Sequence, residues 1–291
     1  LSLAAEHEET QFTQQGAVVF DDPNQVLETD VTSAIADVQG RAGESLAWLL
    51  SLRFDDHSDF DDILTGRVSV AWSITDDTIL RAGFGTGQKT PTFIERFGFF
   101  PQSFVGNPEL KPEHSTSYDI GLEHAFESLR VQLSLFDQDL DDEINGFYCP
   151  NPFPAPCTAI NMDQPSSRRG AEVGAQWSVT TNLSVGITYT YTDSKDADSA
   201  AELRRPRHAG SVHADYGFAN SRGRIALAAD YGGTRQDVFF PPFPNPSEIV
   251  TLGNYWLVDL TAQYDLTERV RLFARGSNLL DADPIHTAEL S

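Results

Sequence analysis

No run of apolar residues in this 291-residue chain approaches the roughly 18 that a membrane-spanning helix needs. That absence excludes a helical membrane protein, but not a membrane β-barrel, which hides its apolar band in alternate positions. The mean hydropathy of -0.31 is therefore no guide to compartment. Basic residues are scarce: 20 Lys and Arg stand against 43 Asp and Glu, a formal net charge of -23. Nucleic acid and anionic membrane surfaces are disfavoured as partners. An initiator Met and a signal peptide are also lacking, since the chain opens Leu1-Ser2-Leu3. Either the N-terminus has been removed or the sequence is a fragment, so this says nothing about location.

Signs of catalysis are lacking too. There is no nucleophile elbow and no convincing carboxylate pair, and the seven histidines (7, 57, 114, 124, 208, 213 and 286) show no metal-ligand spacing. Gly83-x-Gly85-x-Gly87 superficially suggests a phosphate loop, yet no helix follows and Pro91 intervenes. Asp137, Asp139 and Asp141 have the spacing of an EF-hand loop, but Asp142 stands where Gly is required and Tyr148 where Glu is required. They read better as an acidic strand end entering a loop. No enzyme, cofactor or metal site is expected.

What is present, many times over, is strict alternation. Leu46, Trp48, Leu50, Leu52 and Phe54 share one face, and Val68, Val70, Trp72 and Ile74 repeat the pattern against Arg67, Ser69, Ala71 and Ser73. Leu183, Val185, Ile187, Tyr189 and Tyr191 oppose Ser184, Gly186, Thr188, Thr190 and Thr192. About thirteen such segments occur, most near the ~10 residues of a membrane-barrel strand. No stretch of comparable length reads as an amphipathic helix.

The connections alternate between short and long. Short ones fall at 40–43, 75–77, 127–128, 180–182, 219–222 and 266–269, and long ones at 12–30, 55–64, 86–114, 140–167, 193–206 and 234–253. Up-and-down order with tight turns at one rim and long loops at the other predicts an all-β, antiparallel transmembrane barrel with short periplasmic turns and long extracellular loops. A soluble sandwich would give less regular lengths and Greek-key crossings. The polar face carries Arg53, Arg67, Arg81, Asp119, Glu123, Glu172, Gln176, Asp259, Gln263, Arg271 and Arg275. Such a face lines a wide, wet or plugged lumen.

Four blocks resemble TonB-dependent outer-membrane receptors. The first runs "ILRAGFGTGQKTPTFIERFGFF" and on to "GNPELKPEHSTSYDIGLEH", with Arg81-Ala82, Pro91-Thr92, Glu95 and Asn107 to Glu113 on the family's pattern. The others are 167–196, with its Gly-x-Glu and Tyr-Thr-Tyr-Thr-Asp strands, 204–216, and 255–284, ending Asn278-Leu279-Leu280-Asp281. The resemblance implies a barrel of about 22 strands, of which residues 1–291 would supply roughly the ninth to the twenty-first. The family's N-terminal plug, TonB box, early strands and final strand are not read here, so the piece should be open at both edges. The implied function is TonB-coupled import of a scarce metal chelate, vitamin B12 or a ferric siderophore, with heme or a carbohydrate behind. The partners would be the TonB-ExbB-ExbD complex, through the plug, the chelate, and the lipid and lipopolysaccharide of a Gram-negative outer membrane. A passive porin-like or carbohydrate-specific channel is the alternative.

The long loops are rich in aromatics. Phe97, Phe99, Phe100 and Phe104 lie in one, Phe147, Tyr148 and Phe153 in another, and Phe239, Phe240 and Phe243 in a third. Exposed apolar groups at a rim are costly unless they meet a ligand or each other. Phe97, Phe99, Phe100, Tyr148, Phe153, Phe239 and Phe240 are therefore candidate substrate-binding residues, with loops packed on themselves as the competing reading. The only cysteines, Cys149 and Cys157, bracket "CPNPFPAPC" in a loop that the turn pattern places outside the cell. A local disulfide is expected in that oxidising compartment. Two thiols with no nearby His make a poor zinc site.

Overall fold

Successive Cβ atoms of an extended chain point to opposite faces, so alternation of apolar and polar residues favours strand. In the computed structural model, which describes residues 1–18, 22–99, 103–149, 156–242 and 245–283, those segments are strands of one antiparallel sheet. The first seven, β1 (Ser2–Gln14), β2 (Gln25–Ala42), β3 (Leu46–His57), β4 (Ile63–Thr75), β5 (Thr78–Lys89), β6 (Glu113–Ala125) and β7 (Leu129–Asp141), pair in chain order. A separate hairpin, β8 (Ile144–Tyr148) with β9 (Thr158–Asn161), stands in the next connection. The wall resumes with β10 (Ser166–Thr180), β11 (Leu183–Lys195), β12 (His208–Phe218) and β13 (Gly223–Gly232). A second hairpin, β14 (Arg235–Phe239) with β15 (Glu248–Leu252), precedes the last wall strands, β16 (Tyr255–Thr267) and β17 (Val270–Gly276). Thirteen strands thus form a single sheet without crossovers, open at β1 and β17.

Three of the short turns share one construction. Where β4 meets β5, β10 meets β11 and β16 meets β17, the register shifts at Thr75, Thr180 and Thr267 respectively. Each threonine hydroxyl then accepts backbone N–H groups from the turn: Asp77 at 3.3 Å, Asn182 and Leu183 at 3.2 and 3.0 Å, and Arg269 and Val270 at 3.2 and 3.1 Å. A side chain standing in for a backbone acceptor is how threonine closes a turn. One short turn sits later than the sequence suggests. It occupies residues 43–45 rather than 40–43. Gly43 supplies the positive φ of +65°, while Gly40 stays in β2 beneath the Trp48 ring.

Five of the six long connections are shorter than expected, because the ladder continues past the apolar stripe; the sixth, at 233–254 rather than 234–253, is slightly longer. The first spans residues 15–24 rather than 12–30, and the fifth runs from 196 to 207. In β1 and β2 the outward positions near this rim are His7, Glu9 and Gln11 opposite Thr32, Asp30 and Glu28. Pairing persists there, but the apolar signal does not. The two hairpins inside the fourth and sixth connections went unanticipated for a similar reason, since four- and five-residue strands give too short a pattern.

No conventional core backs the wall. Buried apolar residues among those described are Ile63, Phe104, Leu110, Ala159, Ala197 and Leu252, all at or near the long-loop rim. The apolar stripe faces outward instead, with Leu52 44%, Trp72 47%, Leu135 48% and Ile187 46% exposed. Aromatic rings gather toward both ends of that stripe. Trp48, Trp72, Trp177 and Tyr216 lie toward the short turns, and Phe84, Tyr118, Tyr191, Tyr231 and Trp256 toward the long loops. Two aromatic girdles flanking an apolar band are what a bilayer stabilises on a barrel surface.

The opposite face is polar and internally paired. Arg81 and Arg130 each reach Glu123 at 2.7 Å, one per carboxylate oxygen, and Gln132 adds a third contact at 3.3 Å. Farther along, Arg53 joins Glu6 at 3.0 Å and Asp55 at 2.8 Å.

Candidate functional site

The rim loops between β3 and β10 fold into one assembly, and the quoted motifs supply its joints. Pro91 and Thr92 open helix α1 (Phe93–Phe97), where Thr92 and Glu95 form a capping box: Thr92 N donates to Glu95 Oε2 at 2.7 Å, and Glu95 N donates to Thr92 Oγ1 at 3.3 Å. Arg96, at the end of the helix, turns under the loop and is 9% exposed. Its guanidinium pairs with Asp59 at 2.8 Å and lies 4.8 Å from the ring centres of both Phe60 and Phe97. A cation between two aromatic faces and a carboxylate fixes the loops at 58–62 and 90–112 to each other. Burial pushes the Asp59 carboxyl up, but the hydrogen bond and charge of Arg96 outweigh it and hold it below the ordinary carboxylate range.

The Asn-Pro-Glu-Leu-Lys-Pro-Glu run has a structural task in the same assembly. Asn107 N donates to Glu95 O at 2.9 Å, and its amide donates to Ala159 O of β9 at 3.0 Å. Leu110 is buried against Phe104 and Ala159. Lys111 exchanges hydrogen bonds with the Asn161 side chain at 2.9 and 3.0 Å. Glu113, 7% exposed, accepts from Ile144 N at 2.8 Å and pairs with Lys89 at 3.0 Å. Gly106 is required by close approach, since a Cβ there would stand 2.1 Å from Phe97 N. The run therefore ties α1, β8 and β9 to the head of β6.

The candidate aromatics fall into three groups. Phe97 and Phe99, 36% and 41% exposed, line a cavity of about 380 Å³ together with Gln14, Gln25 and Phe104. Gln14 and Gln25 donate to Phe99 O and Gly98 O at 2.7 and 2.9 Å, so this cavity is walled partly by the β1–β2 hairpin. Phe104 is different. It is 3% exposed and sits between Phe99 and Phe147, with ring centres at 5.2 and 5.5 Å. It belongs to the loop's own core rather than to a ligand surface. Tyr148 is 42% exposed at the end of β8. Phe239 closes β14 half-buried and Phe240 is 74% exposed, on the separate β14–β15 hairpin. Phe100, Phe153 and Phe243 lie outside the described residues.

Cys149 and Cys157 are joined in a disulfide. Cys157 N donates to Ser103 O at 2.8 Å and Val105 N to Cys157 O at 2.9 Å, a bridge that carries the cross-link into the Phe104 core.

A second cluster braces the rim at β10 to β14. Arg168 grips both oxygens of Glu202, at 3.0 and 2.7 Å, while Ser194 and Arg205 also bond that carboxylate. Burial pushes the Glu202 carboxyl up, yet these donors prevail and hold it at about 2. Arg204 continues the chain of contacts to Asp237 of β14 at 2.7 Å. Neither Arg96 nor Glu202 was singled out from the sequence. The signal for both is arginine next to acidic and aromatic loop residues, a pattern too common to select them.

Comparison with known proteins places these features. The model of the TonB-dependent receptor-like β-barrel matches residues 6–279. The chain is 29% identical over 236 residues to the vitamin B12 transporter BtuB of Photobacterium profundum, covering 80% of this chain and 36% of that relative. It is 29% identical over 234 residues to BtuB of Vibrio vulnificus, covering 80% and 35%. The chain thus spans about a third of the length of these curated relatives. The crystal structure of the siderophore receptor PirA from Acinetobacter baumannii superposes on 96% of this chain and 47% of its own, with a TM-score of 0.77 at 16% identity, a likeness of fold.

Proposed function

Because this chain belongs to the TonB-dependent receptor-like β-barrel family, we propose that it is barrel wall from an outer-membrane receptor of a Gram-negative bacterium, importing a scarce metal chelate. A corrinoid of the vitamin B12 type is the first choice. The observation that carries this is the sequence similarity to B12 transporters across four-fifths of the chain, set on a sheet whose outer face suits lipid and whose inner face suits water. A ferric siderophore is the second reading, since the signature blocks are those of the whole family. Transport would need the remainder of the receptor, with an N-terminal plug that receives energy from TonB, ExbB and ExbD. The rim assembly around α1 and the disulfide loop would present Phe97, Phe99 and Tyr148 to the ligand, and the second hairpin would present Phe239 and Phe240. No catalytic step is assigned.

The test is uptake of radiolabelled cyanocobalamin by cells whose only cobalamin receptor is the full-length protein. Uptake that collapses when TonB is deleted supports the reading. Uptake that persists without TonB would instead support a passive channel, and binding of ferric siderophore but not cyanocobalamin would move the ligand to the second class.

A further inference from the structure

A cavity of about 590 Å³ opens at the long-loop end of β1 to β5, on the face opposite the apolar stripe. Gly87 to Thr90 of its lining fall within the first signature block, but Arg81-Ala82, Pro91-Thr92 and Glu95 do not line it. One side is built on Asp55, 4% exposed, whose Oδ1 accepts from Ser33 Oγ at 2.5 Å and Arg53 Nε at 2.8 Å, and whose Oδ2 accepts from Gln88 Nε2 at 3.2 Å. That last bond fixes the orientation of the Gln88 amide. Among the described residues its Oε1 is buried without a hydrogen-bond partner, and so is Nδ1 of His57, whose ring is held edge-on by Phe60 at 5.6 Å. His57 and Gln88 both line this cavity. Buried polar atoms without partners are costly and rare, and two on one cavity wall point to a group that would satisfy them.

The charges narrow what that group is. Both cations that line the cavity are already paired, Arg53 with Glu6 and Asp55 and Lys89 with Glu113. Glu8, also in the lining, has no ion pair among the described residues. Thr10, Thr65 and Thr90 add hydroxyls. The cavity wall therefore holds an unpartnered amide oxygen and an unpartnered imidazole nitrogen, both buried, beside threonine hydroxyls in a negative surround that repels an anion.

We infer that this cavity receives an uncharged, hydrogen-donating arm of the ligand, a primary carboxamide such as those on the rim of a corrin ring. The amide N–H would donate to Gln88 Oε1, and its carbonyl would accept from His57 in the Nδ1–H tautomer or from a threonine. The inference rests on the corrinoid reading above and deepens it by naming the chemistry selected at the wall.

The experiment compares binding of cyanocobalamin and of its monocarboxylate derivatives, with one peripheral amide hydrolysed, to the full-length receptor in outer membranes. The unaltered protein should prefer at least one carboxamide over the matching carboxylate. His57→Phe keeps the ring packed on Phe60 and removes the nitrogen; Gln88→Met is near-isosteric. His57→Phe and Gln88→Met should each weaken cyanocobalamin binding roughly 3- to 10-fold, the worth of a lost hydrogen bond, and shrink the preference for amide over acid. Unchanged hydrogen exchange across the β2–β3 and β4–β5 ladders in both variants guards against a folding defect. Unchanged affinity in both variants overturns the inference. So does weaker binding with the amide preference intact, the result expected if a protein segment rather than the ligand fills the cavity. If the unaltered receptor binds no cyanocobalamin, the corrinoid reading fails and takes this inference with it.

Discussion

Ile187 and Thr188 are adjacent in β11, yet they should respond oppositely to the same substitution. Ile187 is 46% exposed on the apolar face, opposite Ala175 and Val212. Thr188 points to the polar face, opposite Gly174 and Ser211, with its hydroxyl 2.7 Å from Ser211 Oγ. The short-turn girdle is marked by Trp177 opposite Val185, two residues below Ile187, and the other girdle by Tyr191, four residues above it. At ~3.3 Å per residue and a tilt of ~40°, those offsets are ~5 Å and ~10 Å along the membrane normal. Ile187 therefore sits well inside the apolar band, and Val185 nearer its edge. Arginine on the lipid face costs ~2–4 kcal/mol at the midplane and ~0–1 near an interface, so Ile187→Arg should cost ~2–3 kcal/mol. Thr188→Arg forfeits one neutral hydrogen bond, ~0.5–1.5 kcal/mol, and places its charge in a wet lumen. The gap is ~0.5–2.5 kcal/mol, roughly a factor of two to seventy in the folded-to-unfolded ratio. Reversible urea unfolding of the full-length receptor in lipid vesicles measures it. Equal costs at the two sites, or a larger one at Thr188, would refute the assignment of faces and with it the barrel.

The rim should answer to three further perturbations. Mass spectrometry of membrane-extracted protein without reductant should find no free thiol at Cys149 or Cys157. The Cys149→Ser, Cys157→Ser double variant should lose at most ~2–3 kcal/mol, seen as faster hydrogen exchange at Val105 with the wall strands unaffected. The Glu202 carboxyl, held at about 2 against an ordinary 4.5, stabilises its loop fully above pH ~4.5, and that stabilisation fades as pH falls from there through ~2. A spin label at Ala200 should accordingly become mobile on acidification, and Glu202→Gln should make it mobile at neutral pH. Alanine at Phe99 or Phe240 should weaken chelate uptake with little loss of stability, whereas Phe104→Ala should destabilise the rim by ~3–5 kcal/mol as a buried large-to-small change.

The wall was legible because its determinants are local. Most wall strands declare themselves in about ten residues of alternation, and the turn threonines at 75, 180 and 267 lie within three residues of the groups they bond. Chain-order pairing then follows from short connections alone. Reading stopped where contacts become distant. Arg96 meets Asp59 across 37 positions, Asn107 reaches Ala159 across 52, and Gln14 reaches Phe99 across 85. No periodicity reports such pairs. Hence Phe104 could be recognised as a loop aromatic but not as the buried one, and Arg96 could not be recognised at all.

That division bears on how the family resemblance should be read. The most diagnostic blocks, Pro91 to Glu95 and Asn107 to Glu113, spend their side chains on capping α1, anchoring β9 and receiving Ile144 and Lys89. Those are architectural duties, and a receptor for any chelate could need them. On the reading proposed above, ligand choice would lie with side chains that carry none of these joints, namely Phe97, Phe99, Tyr148, Phe239 and Phe240 in the rim loops and His57 and Gln88 at the β1–β5 cavity. Exchanging Phe239 and Phe240 or His57 and Gln88 for a relative's residues should therefore change which chelate is bound while the β-sheet persists. Exchanging Asn107 for alanine should loosen the whole rim and weaken every ligand together, because it removes the bond to Ala159 and leaves that carbonyl unsatisfied at the centre of the loop core.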